Sequence, residues 1–240
     1  GTARVNGEAL SGKQMVDVLN AIGLQWATLG NHEFDVSESA FKARMAEQKF
    51  TVVISNVTDA QGKLFEHTVP TAIVPVTVGG RTVKIGLIGI LADFNKAKYV
   101  SYQPSIPSAK SGVASLTGNV DAIIALTHLS LAEDAALADA VPEIDLILGG
   151  HEHENWMLQR GSHFTPIIKA DANVRSLAIG QMAFGAPGTR PKTSARIDVM
   201  NESVAPEPGI DALVKKWTAT AFEAFRAGGF APEQLVVNLT

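Results

Sequence analysis

Three apolar runs in this sequence each end in side chains able to hold a metal ion or move a proton. Trp26-Ala27-Thr28-Leu29 leads into Gly30-Asn31-His32-Glu33-Phe34-Asp35. Val120 to Leu126 leads into Thr127-His128, and Ile144 to Leu148 leads into Gly149-Gly150-His151-Glu152-His153. Four of the chain's six histidines fall at these three places, a concentration that needs a cause. Imidazole nitrogen and amide or carboxylate oxygen are borderline donors, suited to Zn²⁺, Mn²⁺ or Fe rather than Ca²⁺. An ion so held activates water and clamps developing phosphoryl charge, which is the chemistry of a hydrolase. One histidine at a strand end is ordinarily a hydrogen-bonded structural residue; three such ends together argue for convergence. His67 and His163 lack that context and read as structural.

Convergence requires elements that bring distant residues to one edge. In open α/β sheets, ligands sit outside the carboxyl ends of parallel strands. Period and punctuation predict a helix over Glu8 to Ala21, a strand at Trp26 to Leu29, a helix over Ser37 to Gln48 with Ser37 as its cap, and a strand at Phe50 to Ile54. Val69 to Val78 and Thr82 to Ile90 flank Gly79-Gly80, a hairpin signal. Tyr99 to Ser111 reads as a polar connection. Strands follow at Val120 to Leu126, Ile144 to Leu148, Pro166 to Ala170 and Ser176 to Met182, with a short helix at Leu131 to Ala140. A Pro-rich linker at Ala205 to Gly209 precedes a last helix from Ile210 to Ala227.

The bulk properties fit this scheme. The 240 residues are 46% hydrophobic and 18% charged, a globular composition. A net charge of −4 offers no electrostatic reason for a nucleic-acid polymer or anionic membrane as partner. The absence of cysteine excludes disulfides and thiolate metal ligands. No apolar run approaches the roughly 18–20 residues of a membrane span. Asn-x-Ser/Thr triplets occur at Asn56, Asn201 and Asn238, no more than chance supplies, and imply no glycosylation.

In this order and spacing, the blocks Gly30-Asn31-His32-Glu33-Phe34-Asp35, Ala125-Leu126-Thr127-His128-Leu129 and Gly149-Gly150-His151-Glu152-His153 resemble the calcineurin-like metallophosphoesterases, in particular the 5′-nucleotidase branch. The similarity covers most of residues 8 to 182. It implies a layered α/β/β/α sandwich with mixed sheets, residues 1–204 forming the catalytic domain and 205–240 a linker and helix leading towards a further domain. It implies that Asn31, His128 and His151 ligate one metal of a pair (Mn, Zn or Fe) and that His153 ligates the other. Asn31 and His32 would also meet the substrate, and His32 would stabilise the transition state or protonate the leaving oxygen. Asp35 would hold the His32 ring, or alternatively cap the helix that starts after Ser37. Glu33 and Glu152 fall outside the ligand pattern, and Asn56 reads as a turn-making residue.

The expected activity is hydrolysis of phosphomonoesters, nucleotides above all, through a metal-bound hydroxide. Alternatives are a 2′,3′-cyclic-nucleotide phosphodiesterase, a nucleotide-sugar hydrolase, or a non-catalytic binding module with a degenerate metal site. The same resemblance implies a periplasmic or extracellular location. The family pattern opens with Asp-x-His and Gly-Asp blocks, and neither occurs in this sequence. Four visible ligands fall short of the about seven that a metal pair requires. A start at Gly1-Thr2-Ala3-Arg4 without Met favours a piece of a longer phosphoesterase over loss of an upstream fragment or degeneration to one metal.

Overall fold

The structure, a computed structural model, describes residues 4–5, 7–94 and 97–233. The Asn238 triplet and the end of the 205–240 segment lie outside the described residues, as do Gly1, Thr2, Ala3 and Asn6. The chain begins with β1 (Arg4–Val5), β2 (Glu8–Ala9), α1 (Lys13–Ala21) and β3 (Trp26–Ala27), followed by a 3-10 turn at Asn31–Asp35. Next come α2 (Glu38–Glu47), β4 (Thr51–Val53), β5 (Val57–Asp59), β6 (Thr68–Val69), β7 (Thr71–Val78), β8 (Arg81–Leu91) and β9 (Val100–Tyr102). The second half holds α3 (Ser105–Leu116), β10 (Ala122–His128), α4 (Leu131–Ala140), β11 (Leu146–Gly149), β12 (Trp156–Arg160) and β13 (Thr165–Lys169). It closes with β14 (Ser176–Ala183), β15 (Lys192–Val199) and α5 (Pro208–Ala227).

The main sheet has six strands in the order β12-β13-β11-β10-β8-β7. Its four inner strands are parallel, and the two outer ones run antiparallel to their neighbours. β8 explains the layering. It is apolar almost throughout because both of its faces are covered. Ile88 and Ile90 point into a core with Ala109, Val113 and Leu116 of α3 and Leu137 and Ala138 of α4. Val83, Ile85 and Leu87 point the other way, towards Val53, Trp26 and Met182. On that side lie the parallel sheet β3-β4-β6 and the hairpin β14-β15. α2 packs beyond them through Phe41 and Met45, which join Phe34, Phe50, Val52 and Ile54 in a third core. The result is the mixed-sheet α/β/β/α sandwich.

Several predicted elements need correction. The first helix starts at Lys13, not Glu8, because Glu8–Ala9 pairs with Arg4–Val5 in a two-stranded ladder. Tyr99 to Ser111 is no mere connection: α3 begins at Ser105 and carries Ala109, Gly112, Val113 and Leu116 on its buried face. Ser105, Pro107 and Ser108 crowd its first turn, where proline is tolerated, and mask the helical period that follows. β12 and β15 have no counterpart in the sequence pattern; β12 carries mostly exposed side chains, β15 alternates exposed with half-buried ones, and both pair with antiparallel partners. The last helix packs against α1 and β1.

Candidate functional site

The parallel strands put their carboxyl ends on one edge, and the expected site residues stand there. After β3 the chain enters the 3-10 turn, which Phe34 anchors from below at 3% exposure. Phe34 packs against Phe41, Phe65, Tyr99 and Tyr102 at ring separations of 5.2 to 6.3 Å. The Glu33 carboxylate accepts the Gly30 N–H at 2.5 Å and closes the turn. Gly30 also leaves room for the neighbouring strand end, since a Cβ there would stand 2.9 Å from His128 Cε1.

Asn31 and His128 meet across 97 residues of sequence. Asn31 Oδ1 lies 2.9 Å from His128 Nε2, and Asn31 is only 7% exposed. The His151 ring stands edge-on to the His128 ring at 5.2 Å and stacks on Phe94 at 4.7 Å. Burial, followed by His151, Lys169, His32 and His153, lowers the His128 pKa to about 4, so the ring is neutral at pH 7. His151 and His153 both occupy left-handed backbone, with φ of 89° and 62°. For residues carrying a Cβ, that conformation costs about 1–2 kcal/mol. Thus Asn31, His128 and His151 come together. His153 is exposed, and among the described residues nothing hydrogen-bonds its ring.

His32 projects outward with 71% of its side chain exposed, and its Nδ1 lies 2.6 Å from Asp35 Oδ2. The helix cap belongs to Ser37, whose Oγ accepts the Ala40 N–H. Asn56 is 1% exposed and bonds to both the N–H and the C=O of Leu91, so it ties β4's end to β8. His67 and His163 are exposed and away from the edge cluster. Glu152, read from sequence only as a residue outside the ligand pattern, pairs with Lys169 and accepts the Leu131 N–H. Burial acts to raise its pKa, but these bonds together carry it below the usual value. Sequence reasoning missed Lys169, Asp134 and Phe94; for Lys169 the signal was a lysine closing the apolar run Thr165-Pro166-Ile167-Ile168.

The ends of β10 and β11 in the main sheet and of β3 in the neighbouring sheet bring two imidazoles and an amide together, the arrangement of a phosphoesterase-type sandwich, and the comparisons agree. The family model described as calcineurin-like phosphoesterase matches residues 11–155. The chain belongs to that family. It is 30% identical over 173 residues to the Bacillus subtilis metallophosphoesterase YunD, covering 69% of this chain and 36% of that one. It is 25% identical over 237 residues to human 5′-nucleotidase, covering 86% and 40%. The solved 5′-nucleotidase precursor from Thermus thermophilus shares the fold with a TM-score of 0.74 at 22% identity, over 90% of this chain and 46% of that one. The chain therefore spans less than half the length of these relatives.

The donor chemistry tests whether the implied metal fits. His128 offers a neutral imidazole beside an amide oxygen and a second imidazole, all borderline donors. No group of three or more His, Cys, Asp or Glu in metal-holding geometry occurs among the described residues. By donor type, Asn31, His128 and His151 suit one divalent ion of this class, and three such donors fall short of the set a metal pair needs.

Proposed function

We propose that this chain carries the Asn/His side of a metal-dependent phosphoester hydrolase site of 5′-nucleotidase type. The observation that carries the reading is the 2.9 Å approach of Asn31 Oδ1 to His128 Nε2, with His151 beside them. A divalent ion there, of the Mn, Zn or Fe class, would lower the pKa of a coordinated water and clamp phosphoryl oxygens. Asn31, His128 and His151 would hold it, and His153 would join where further ligands complete a second position. His32 stands at the solvent side of the cluster, where its Nε2 can give a proton to a departing oxygen. Asp35 fixes the opposite nitrogen and hence the ring's orientation.

The substrate would be a nucleotide or another phosphomonoester, and the location periplasmic or extracellular, both supported by the 5′-nucleotidase likeness. Residues 205–240 would lead from the catalytic domain, 1–204, towards a further one. No helix of the described residues is long and apolar enough to cross a membrane. A non-catalytic binding module is the second reading, favoured by a donor set of one amide and two imidazoles without a carboxylate. Incubating the full chain with Mn²⁺ and a panel of nucleoside monophosphates, cyclic nucleotides, nucleotide sugars and p-nitrophenyl phosphate separates the readings. Turnover of monophosphates that vanishes with chelator supports the first. Metal uptake without release of phosphate from any substrate overturns it in favour of the second.

A further inference from the structure

We infer that Lys169 is a positioning residue that fastens the two histidine-bearing loops to each other and so sets the spacing of His128 and His151. The inference deepens the metal-site reading above and rests on it. Lys169 ends β13 and is 1% exposed. Its Nζ donates to Leu129 O at 2.6 Å, to Gly150 O at 2.9 Å and to the Glu152 carboxylate. Asp134 Oδ2, from α4, lies 2.9 Å from the same nitrogen. Leu129 directly follows His128, Gly150 directly precedes His151, and Glu152 separates His151 from His153. One ammonium thus grips the backbone of both loops a single residue away from each imidazole.

The surrounding bonds complete a frame around it. The Gly150 N–H donates to Thr127 O at 3.1 Å, and the Ala92 N–H to His128 O at 3.1 Å. The Leu131 N–H bonds to Glu152, so the start of α4 joins the same frame. Stability alone gives a weak reason for this arrangement, because well-packed apolar residues often replace a buried ion pair at no cost. Such a replacement fills the volume and cannot donate to two carbonyls. Partners that orient metal ligands typically change affinity by about 10- to 100-fold when removed.

The test compares the full wild-type chain with Lys169→Met and with the paired change Lys169→Met/Asp134→Leu, which leaves neither charge buried alone. Thermal melting reports the fold, hydrogen exchange at the amides of residues 150–153 in metal-free protein reports the loops, and calorimetric titration with Mn²⁺ reports the site. The paired variant is expected to fold with a lowered melting temperature, because the Leu129 and Gly150 carbonyls lose their donor, to exchange about tenfold faster or more at 150–153, and to bind Mn²⁺ about 10- to 100-fold more weakly. Unchanged exchange with unchanged Mn²⁺ affinity in a folded paired variant overturns the inference. Glu152→Gln weakens the same grip without disturbing apolar packing; unchanged exchange there would likewise count against the inference should the paired variant fail to fold. Wild-type chain that takes up no Mn²⁺ overturns the metal-site reading instead, and the exchange measurement then decides the role of Lys169 by itself.

Discussion

The His32–Asp35 pair gives the most direct test at the scale of single residues. Replacing His32 by Ala removes the proton donor of the proposed reaction and is expected to lower kcat by about 10²- to 10⁴-fold, with KM little changed. Asp35→Asn keeps the shape and removes the carboxylate; it should lower kcat less, without altering the melting temperature. A melting temperature that falls while kcat holds would instead give Asp35 a purely structural role in the 3-10 turn. His128 carries a pH prediction. Its folded pKa of about 4 lies below the ordinary 6.5, so between those values the unfolded chain takes up a proton that the native ring refuses. Stability is therefore expected to fall as pH drops from about 6.5 to about 4 and to level off below. Urea midpoints of wild type and His128→Asn across that window measure the contribution: the variant's profile should be flatter.

At the scale of elements, the close crossing of β8 over β4 positions both the Leu91 end and Asn56. Gly89 makes the crossing possible, since a Cβ there would collide with the Val53 carbonyl. Gly89→Ala is expected to cost more than about 3 kcal/mol or abolish folding, judged by urea denaturation. Asn56→Ala strands the buried Leu91 N–H and C=O, at about 2–4 kcal/mol for two unsatisfied groups. These elements also mark where the sequence was legible. The hairpin across Gly79-Gly80, α4 and the strands ending at His128 and Gly149 follow from periodicity and turn residues, because each buries its pattern locally. β12 escaped because its side chains are mostly exposed and an antiparallel partner holds it, and β15 because the half-buried positions of its alternation include the small or polar Thr193 and Ala195, which give little apolar signal. α3 escaped because its start is written in turn residues. Within the candidate site, Asn31, His128 and His151 were legible as strand-end donors. Lys169 was not, because a buried cation is recognisable only from the carbonyls around it, which come from two other strand ends.

Taken as a whole, the sandwich leaves a trough of about 620 Å³ between the main sheet and β14-β15, lined by Val76, Val83, Ile85, Leu146, Leu148 and Met182. The layers are thus joined tightly at the site edge and more loosely along this trough. A ligand that binds only the folded chain raises its stability by about 2.7 kcal/mol at one hundred times its dissociation constant. Mn²⁺ is therefore expected to raise the melting temperature in a concentration-dependent way, EDTA to reverse it, and His151→Ala to abolish the shift. An identical shift in that variant would move the ion elsewhere.

His151 makes the trade visible. Its left-handed backbone is one that glycine adopts freely and imidazole does not, so His151→Gly should yield a hardier protein with a blunted site. A library of this chain selected for heat resistance alone would drift towards glycine at that position. One selected for turnover would keep the histidine and tolerate the fragility.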